Sequence, residues 1–261
     1  MINFNFLEDN LDELSAQFSS ASPYEHVVID QFCDPVLLSE CLSNIPNPDE
    51  NSISKSRDYI FAKNKFEKSS FKELCKDFSN LYDDLTSERF ERFLYKLTGE
   101  KVFLDKEFHG GGIHQGGRDS FLDMHVDFNL HPLHSSWFRN VNILIYLNKD
   151  WKLEWGGQLD MQHIETKKSK SVDPIFNRCV IMFTRDYTVH GYKKISFPSG
   201  NFRRSIAAYA YSFIDSKDMI ERSTKWMPKN AGFMKTLIGK NWPRLVKIKT
   251  TLFGSATEKN K

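Results

Sequence analysis

Among the residues of this 261-residue chain whose types bind transition metals, three stand out by their positions, and two of them are closely spaced. His125 and Asp127 are separated by one residue at the end of an apolar run, and His190 follows a later apolar run, Cys179–Phe183. Because successive side chains of a strand point to opposite faces, residues i and i+2 share a face. We therefore expect the His125 imidazole and the Asp127 carboxylate to project side by side from the end of a strand.

An H-x-D pair is weak evidence by itself, since a single histidine is more often a satisfied core residue or a surface residue. Two histidines and one carboxylate on one side of a metal, with the other positions open, form the facial triad of non-haem Fe(II) oxygenases. The pattern therefore favours an iron site at His125, Asp127 and His190, where the open positions could receive O2 and a co-substrate.

A second group of polar residues could bind an anion. Arg203 opens the last apolar strand, Ser205 shares its face by alternation, and Arg204 points the other way. A guanidinium beside a hydroxyl can hold a carboxylate through paired hydrogen bonds, and Tyr146, near the end of an earlier strand, can add a phenolic one. Alone, Arg203 would be a surface ion-pair partner and Tyr146 a core aromatic residue. Their order around the H-x-D pair and His190 favours a carboxylate-binding group.

The elements that must position these residues change character near Lys101. Before it, apolar residues recur at helical spacing, and we predict helices at residues 7–18, 34–42, 71–85 and 87–99, with a short strand at 26–30. After it, β-branched and aromatic runs occupy residues 121–127, 142–147, 158–163, 179–183 and 205–211. This spacing is typical of an antiparallel sandwich or jelly roll. Helices packed outside a double-sheet barrel are the simplest architecture.

Composition bounds the class of protein. At 40% hydrophobic and 14% aromatic residues, the chain can bury a full core. Its first residues are acidic where a signal peptide needs basic ones, and no run approaches the eighteen apolar residues that span a bilayer. The four cysteines lie far apart and form no C-x-x-C pair, so neither a zinc ribbon nor a disulfide framework is implied. We expect a soluble, cytoplasmic protein.

The charge is concentrated in the tail. From residue 217 onward there are 11 Lys or Arg and 3 Asp or Glu, a net of +8, against −6 for the residues before it. Such a tail can bind phosphate or a membrane surface, but a solvated extension that covers the core is favoured. Phe233, Leu237 and Ile238 recur at helical spacing, so we expect packing on the helical side of the barrel. Trp226 and Phe253 are more typical of packing than of base stacking, which disfavours a nucleic-acid partner.

Residues 104–212 resemble the catalytic core of the 2-oxoglutarate/Fe(II) oxygenases of the prolyl-hydroxylase type. The matching motifs are His125-Val-Asp127, Tyr146-Leu-Asn-Lys-Asp-Trp151, Gly156-Gly-Gln-Leu159, Phe176-Asn-Arg-Cys-Val-Ile-Met-Phe183, His190 and Arg203-x-Ser205. The Y-L-N-K-D-W run and the double glycine are similar to the oxygen-sensing prolyl hydroxylases. Gly110-Gly-Gly-Ile-His114 and His125-Val-Asp-Phe-Asn129 are more similar to a bacterial branch. The chain departs from many family members by a longer interval between His190 and Arg203, with added residues 193–200.

The resemblance implies an α+β fold with a mainly β core, a double-stranded β-helix of the jelly-roll, cupin-like kind with supporting N- and C-terminal helices. Residues 1–100 would form a helix-rich support region, 101–215 the dioxygenase core, and 216–261 a basic extension packed on the same domain.

The resemblance also implies roles for individual residues. The catalytic metal ligands would be His125, Asp127 and His190, and the distal carboxylate of 2-oxoglutarate would be held by Arg203, Ser205 and Tyr146. Arg139, seven residues before Tyr146, would bind substrate near the mouth of the site. The doubled Arg203-Arg204 leaves the carboxylate binder ambiguous by one position, and Arg203 is preferred because it sets Ser205 inward.

The implied activity is hydroxylation of an unactivated C–H bond, with Fe(II) as cofactor, 2-oxoglutarate and O2 as co-substrates, and succinate and CO2 as products. Ascorbate is left open as a reductant. A proline, free or in a peptide, is the favoured substrate, and a small metabolite or sugar-containing biosynthetic intermediate is the alternative. A non-catalytic metal-binding barrel is a third and remote alternative. The oligomeric state is left open, and a membrane surface is not favoured as a partner.

Secondary expectations concern the mouth of the site. Residues 110–117 and 128–137 would flank it and could act as lids. His114 is a candidate to approach the site, whereas His131 and His134 are expected to be solvated loop residues.

Overall fold

Thirteen strands form one curled antiparallel sheet in the computed structural model, which describes residues 1–48, 54–55, 58–215, 219–228, 232, 234–239, 241–242 and 245. The helices are α1 (Phe4–Asp9), α2 (Leu11–Ser20), α3 (Pro35–Ser43), α4 (Lys76–Leu85) and α5 (Glu88–Thr98), and residues 234–239 are helical as well. The strands are β1 (His26–Ile29), β2 (Ser54–Lys55), β3 (Ala62–Lys68), β4 (Phe103–Leu104), β5 (Gly112–Val126), β6 (Leu130–His131), β7 (His134–Tyr146), β8 (Leu159–His163), β9 (Ser169–Val172), β10 (Cys179–Phe183), β11 (Thr188–Tyr192), β12 (Arg203–Phe213) and β13 (Lys225–Trp226).

Local signals fix the ends of the helices. The Ser87 hydroxyl accepts a hydrogen bond from the Phe90 amide at the start of α5, and Gly99, with φ +76°, ends it in the left-handed region. Asp34 caps α3 in the same way, and Pro35 occupies its first turn. The helix predicted at 7–18 is divided at Asn10 into α1 and α2, and the one predicted at 71–85 begins with a separate 3-10 turn, Phe71–Glu73.

The sheet separates two apolar layers. Its main order is β1-β10-β7-β12-β5-β11-β8-β9, and β3 and β13 also pair with β5. By alternation, Ile143 of β7 and Ile181 of β10 pack outward in one cluster with the helices, whereas Tyr146 and Val180 point inward to a second cluster. The helices therefore cover one face of the curled sheet, and the inner face is left for the barrel interior.

Each predicted strand is found at its expected position in the chain, but the observed strands differ from the predicted ones in length. β5 begins at Gly112, well before the predicted 121, and β11 was not predicted as a strand. The strand β3, with the polar sequence AKNKFEK, was also missed, because its apolar alternation is weak. Both β1 and β3 come from the first hundred residues and join the same sheet, so the boundary at residue 101 stays a prediction.

The described part of the basic tail lies beside β5. Strand β13 places Trp226 directly opposite His125, Lys235 lies 2.6 Å from an Asp123 carboxylate oxygen, and Trp242 stacks on Tyr59. These contacts are on the β3–β5 side, whereas the helical side was expected. The remaining tail residues of that prediction lie outside the described residues, namely Phe233, Lys240, Pro243, Arg244, Lys247, Lys249 and Phe253. Among the residues that the structure describes, no helix is both long and apolar enough to cross a lipid bilayer.

Candidate active site

Two adjacent strands and the residue after one of them bring the predicted metal ligands together. His125 near the end of β5 is paired directly with His190 of β11, and their ring centroids lie 4.4 Å apart. Asp127 follows β5, with one carboxylate oxygen 3.4 Å from His125 Nε2 and the other 3.4 Å from His190 Nε2. One ligand atom from each of the three residues lies within 4.8 Å of the others. This spacing fits a single metal ion.

The protonation of the three side chains also suits a metal. His125 Nδ1 lies 2.9 Å from the Asp123 carbonyl oxygen, which can only accept, so Nδ1 carries the proton and Nε2 is available. Burial lowers the pKa of His190 to about 3, although Asp127 opposes the shift, so this imidazole is neutral near pH 7. Burial alone would raise the pKa of Asp127, but Arg139 and His190 hold it well below its usual range. A carboxylate and a neutral imidazole are the ligating forms.

Asp127 is itself held by polar neighbours that the sequence analysis did not group. Asn142 Nδ2 donates to Asp127 Oδ2 over 2.8 Å, and an Arg139 guanidinium nitrogen lies 3.1 Å from the same oxygen. From the other side, an Arg222 guanidinium nitrogen donates to the Asp127 main-chain carbonyl over 2.8 Å. Asn142 lies four residues before Tyr146 in the same strand, so alternation places both side chains on the same face. The sequence could therefore have predicted that Asn142 points inward. Arg222 had no such signal, because it reaches the site from the tail.

Two of the three predicted anion-binding residues, Arg203 and Ser205, line the same cavity, and the third, Tyr146, is buried against Arg203. Arg203 is 7% exposed, one of its terminal nitrogens lies 3.4 Å from the Tyr146 hydroxyl, and Ser205 lies two residues along the same face. Arg204 points away and donates from Nε to Gln115 Oε1 over 2.9 Å. Burial raises the pKa of Tyr146, so its phenol keeps the proton that it could donate. The structure thus places Arg203, and not Arg204, beside Tyr146 and Ser205.

Gly157 explains why a double glycine precedes β8. Arg203 Nε donates to the Gly157 carbonyl oxygen over 2.6 Å, and a Cβ at position 157 would lie 3.0 Å from Arg203 Cδ. Gly157 also has φ +86°, a conformation that other residues adopt at a cost. The backbone can therefore approach the arginine and fix its direction.

The metal-ligand triad lines a cavity of about 220 Å³ together with Arg203 and Ser205. The cavity also contacts residues outside the predicted set. They include Tyr59 and Lys65 from the N-terminal region, Asn142 and Tyr209 from the core, and Thr224 and Trp226 from the tail. The tail therefore contributes to the wall of the site as well as packing beside β5.

The secondary predictions have mixed outcomes. His114 lines the cavity, with Nε2 3.1 Å from the Gly110 carbonyl oxygen. His131 is only 4% exposed, because β6 pairs with β7 and places the ring against Tyr211, so its prediction as a solvated loop residue was wrong. His134 is exposed but belongs to β7. Gly110 and Phe128 of the two expected lids line the cavity, and their motion stays a prediction.

A histidine–aspartate–histidine set inside a double-stranded β-helix defines a class of mononuclear non-haem metal site. Residues 111–211 match the family model described as the 2OG-Fe(II) oxygenase superfamily. This match confirms the predicted resemblance over residues 111–211. No curated protein sequence matches the chain significantly.

Several solved structures share the fold. The chain is similar to a prolyl hydroxylase from Trichoplax adhaerens in complex with a hypoxia inducible factor peptide fragment, at 16% identity over 79% of this chain and 91% of that one, with a TM-score of 0.59. A prolyl-4-hydroxylase from Pseudomonas putida has 16% identity, coverages of 76% and 98%, and a TM-score of 0.51. The non-haem α-ketoglutarate-dependent epimerase SnoN from nogalamycin biosynthesis has 12% identity, coverages of 87% and 89%, and a TM-score of 0.54. At these identities the likeness shows the fold, and it confirms the predicted double-stranded β-helix.

Proposed function

We propose that the protein is an Fe(II)- and 2-oxoglutarate-dependent dioxygenase that hydroxylates an unactivated C–H bond, with a proline, in a peptide or free, as its substrate. The observation that carries the proposal is the meeting of two groups in one cavity. The triad of His125, Asp127 and His190 lies on one part of its wall, and Arg203 with Ser205 lies on another.

The proposed division of labour follows from the chemistry of each group. Two imidazoles and a carboxylate suit Fe(II) and leave other positions open. Arg203 would pair with the distal carboxylate of 2-oxoglutarate, while the Tyr146 and Ser205 hydroxyls would donate to it. When bound, Fe(II) and 2-oxoglutarate supply O2 activation coupled to oxidative decarboxylation, with succinate and CO2 as products. The protein orients the reactants and excludes water from the cavity.

Support for a prolyl substrate comes from the fold and from the cavity wall. The structures from Trichoplax adhaerens and Pseudomonas putida are prolyl hydroxylases. The side of the cavity beside His125 is formed by the rings of Tyr59 and Trp226, which pack edge to face at 5.6 Å. An apolar ring such as that of proline can pack on such a wall.

A small metabolite or sugar-containing intermediate is the second candidate, and one observation favours it. SnoN belongs to nogalamycin biosynthesis and shares the fold over 87% of this chain. The substrate screen below therefore includes both classes.

The deciding experiment is anaerobic binding of Fe(II) and 2-oxoglutarate, followed by a screen scored by succinate release. Prolyl peptides, free L-proline and small cyclic metabolites should be compared, with His190→Ala as the metal-deficient control. We expect one divalent ion per chain and substrate-stimulated succinate formation with a prolyl compound. Stimulation by metabolites alone would replace the substrate assignment. Metal binding without 2-oxoglutarate binding would favour a non-catalytic barrel and contradict the proposal.

A further inference from the structure

The Asp127 carboxylate is asymmetric in its contacts. Oδ2 accepts a hydrogen bond from Asn142 Nδ2 at 2.8 Å and lies 3.1 Å from an Arg139 guanidinium nitrogen. A carboxylate oxygen offers about two lone-pair positions, so the Asn142 hydrogen bond fills one of those of Oδ2, and the Arg139 charge lies against the same oxygen. Oδ1, which lies 3.4 Å from His125 Nε2, keeps its lone pairs for another partner.

The two donors are themselves joined. Arg139 Nε donates to Asn142 Oδ1 over 2.9 Å, so Arg139, Asn142 and Asp127 form a closed ring of contacts. The Asn142 amide is satisfied in one orientation only, with its oxygen toward the arginine and its nitrogen toward the carboxylate. All three residues are at least nine-tenths buried.

An irregularity in β7 makes this ring possible. Arg139 and Asn142 are three residues apart, so regular alternation would place them on opposite faces of the sheet. The register between β7 and β12 shifts at this point. Ala210 is paired with Val141, and the next residue of β12, Tyr211, is paired with Arg139. Asn140 therefore has no partner in the register. This is a β-bulge, which re-aims side chains at functional sites. Asn140 instead bonds Ser212 and Glu100 away from the metal ligands.

Arg139 is also held from above and below. Its guanidinium carbon lies 3.5 Å from the Tyr209 ring centroid and 4.5 Å from that of Phe128. The side chain is 3% exposed. A guanidinium that is stacked on rings, hydrogen-bonded through Nε and ion-paired through a terminal nitrogen has little freedom to follow a substrate.

We infer that Asn142 and Arg139 are positioning residues that occupy Asp127 Oδ2 and reserve Oδ1 for the metal, which keeps one coordination position open for the co-substrates. The inference rests on the proposed function and adds a role to Arg139, which the sequence analysis expected at the substrate. Removing such supporting partners of a ligand typically costs 10- to 100-fold in metal affinity.

Co(II) is the probe for the test, because its visible absorption reports both binding and coordination geometry. Asn142→Leu keeps the branched arrangement of the four side-chain heavy atoms and removes both hydrogen bonds. We expect its Co(II) affinity to fall at least about tenfold, with a changed visible spectrum as the second carboxylate oxygen becomes available. Asn140→Ala is the matched control, because it changes an asparagine of the same strand that faces away, and its affinity and spectrum should equal those of the wild type.

Arg139→Lys provides a second variant should Asn142→Leu fail to fold, since a lysine keeps the charge but cannot bond Asn142 and Asp127 together. A folded variant of either kind that binds Co(II) within twofold of the wild type, with an unchanged spectrum, would overturn the inference. Absence of Co(II) binding by the wild-type protein would instead contradict the proposed function.

Discussion

The choice between two adjacent arginines can be tested by the affinity for 2-oxoglutarate. Arg203→Ala removes the guanidinium that lies beside Tyr146 and Ser205 in the cavity, and Arg204→Ala removes the one that bonds Gln115 on the opposite face. The pair is well matched, because both changes truncate an arginine of β12 by the same atoms.

The magnitude follows from the burial of the site. Arg203 is 7% exposed, so the co-substrate carboxylate would be left largely desolvated without its partner. Truncating one member of a buried, hydrogen-bonded charge pair costs about 2–5 kcal/mol of binding free energy. This corresponds to a dissociation constant that is roughly 30- to 4,000-fold larger. The remaining Tyr146 and Ser205 hydroxyls place the expected loss toward the lower end. For Arg204→Ala we expect a change of no more than about threefold, because Arg204 itself does not line the cavity.

Calorimetric titration of 2-oxoglutarate into the Co(II)-loaded protein measures both constants directly. Thermal unfolding of each variant establishes that it is folded, and Co(II) affinity should be nearly unchanged, because neither arginine contacts the triad. A larger loss for Arg204→Ala than for Arg203→Ala would refute the assigned strand face. Equal affinities of Arg203→Ala and the wild type would refute the anion-binding role.

Three other changes probe the remaining parts of the site. His125→Ala should abolish divalent metal binding by elemental analysis, whereas His109→Ala should not; retained metal in the first variant would contradict the triad. Gly157→Ala should weaken 2-oxoglutarate binding roughly tenfold, because the added methyl group meets the cavity arginine at 3.0 Å. Gly200→Ala is its control, with a similar positive φ of +82° but no atom within 4 Å of the new methyl group; equal effects on 2-oxoglutarate affinity would show that backbone strain alone acts. The intact chain should not co-sediment with anionic vesicles at moderate salt, and salt-sensitive binding lost on deleting the residues after 229 would favour a membrane-surface role for the tail.

Much of the fold could be predicted because its signals are local. The Ser87 cap and Gly99 stop of α5 act within one helical turn, and strand alternation carried His125 and Asp127 to one face. The same alternation separated Arg203 from Arg204. In each case a short stretch of sequence contains the whole physical cause.

The rest depended on contacts between distant parts of the chain. The bulge at Asn140 arises where β7 and β12 meet, and it alone allows Arg139 and Asn142 to reach the same carboxylate. No pattern within β7 encodes this shift, because register is a property of the paired strands.

The sequence by itself determined which chemistry the core could perform, through the types and order of its ligands. Tertiary structure decided what surrounds those ligands. Lys65 arrives from the N-terminal region, and Arg222 and Trp226 arrive from the C-terminal tail. These polar and aromatic side chains are far apart along the chain, and they form a site only when long-range strand pairing brings them together. Composition and periodicity do not predict that pairing, because both are properties of short stretches of sequence.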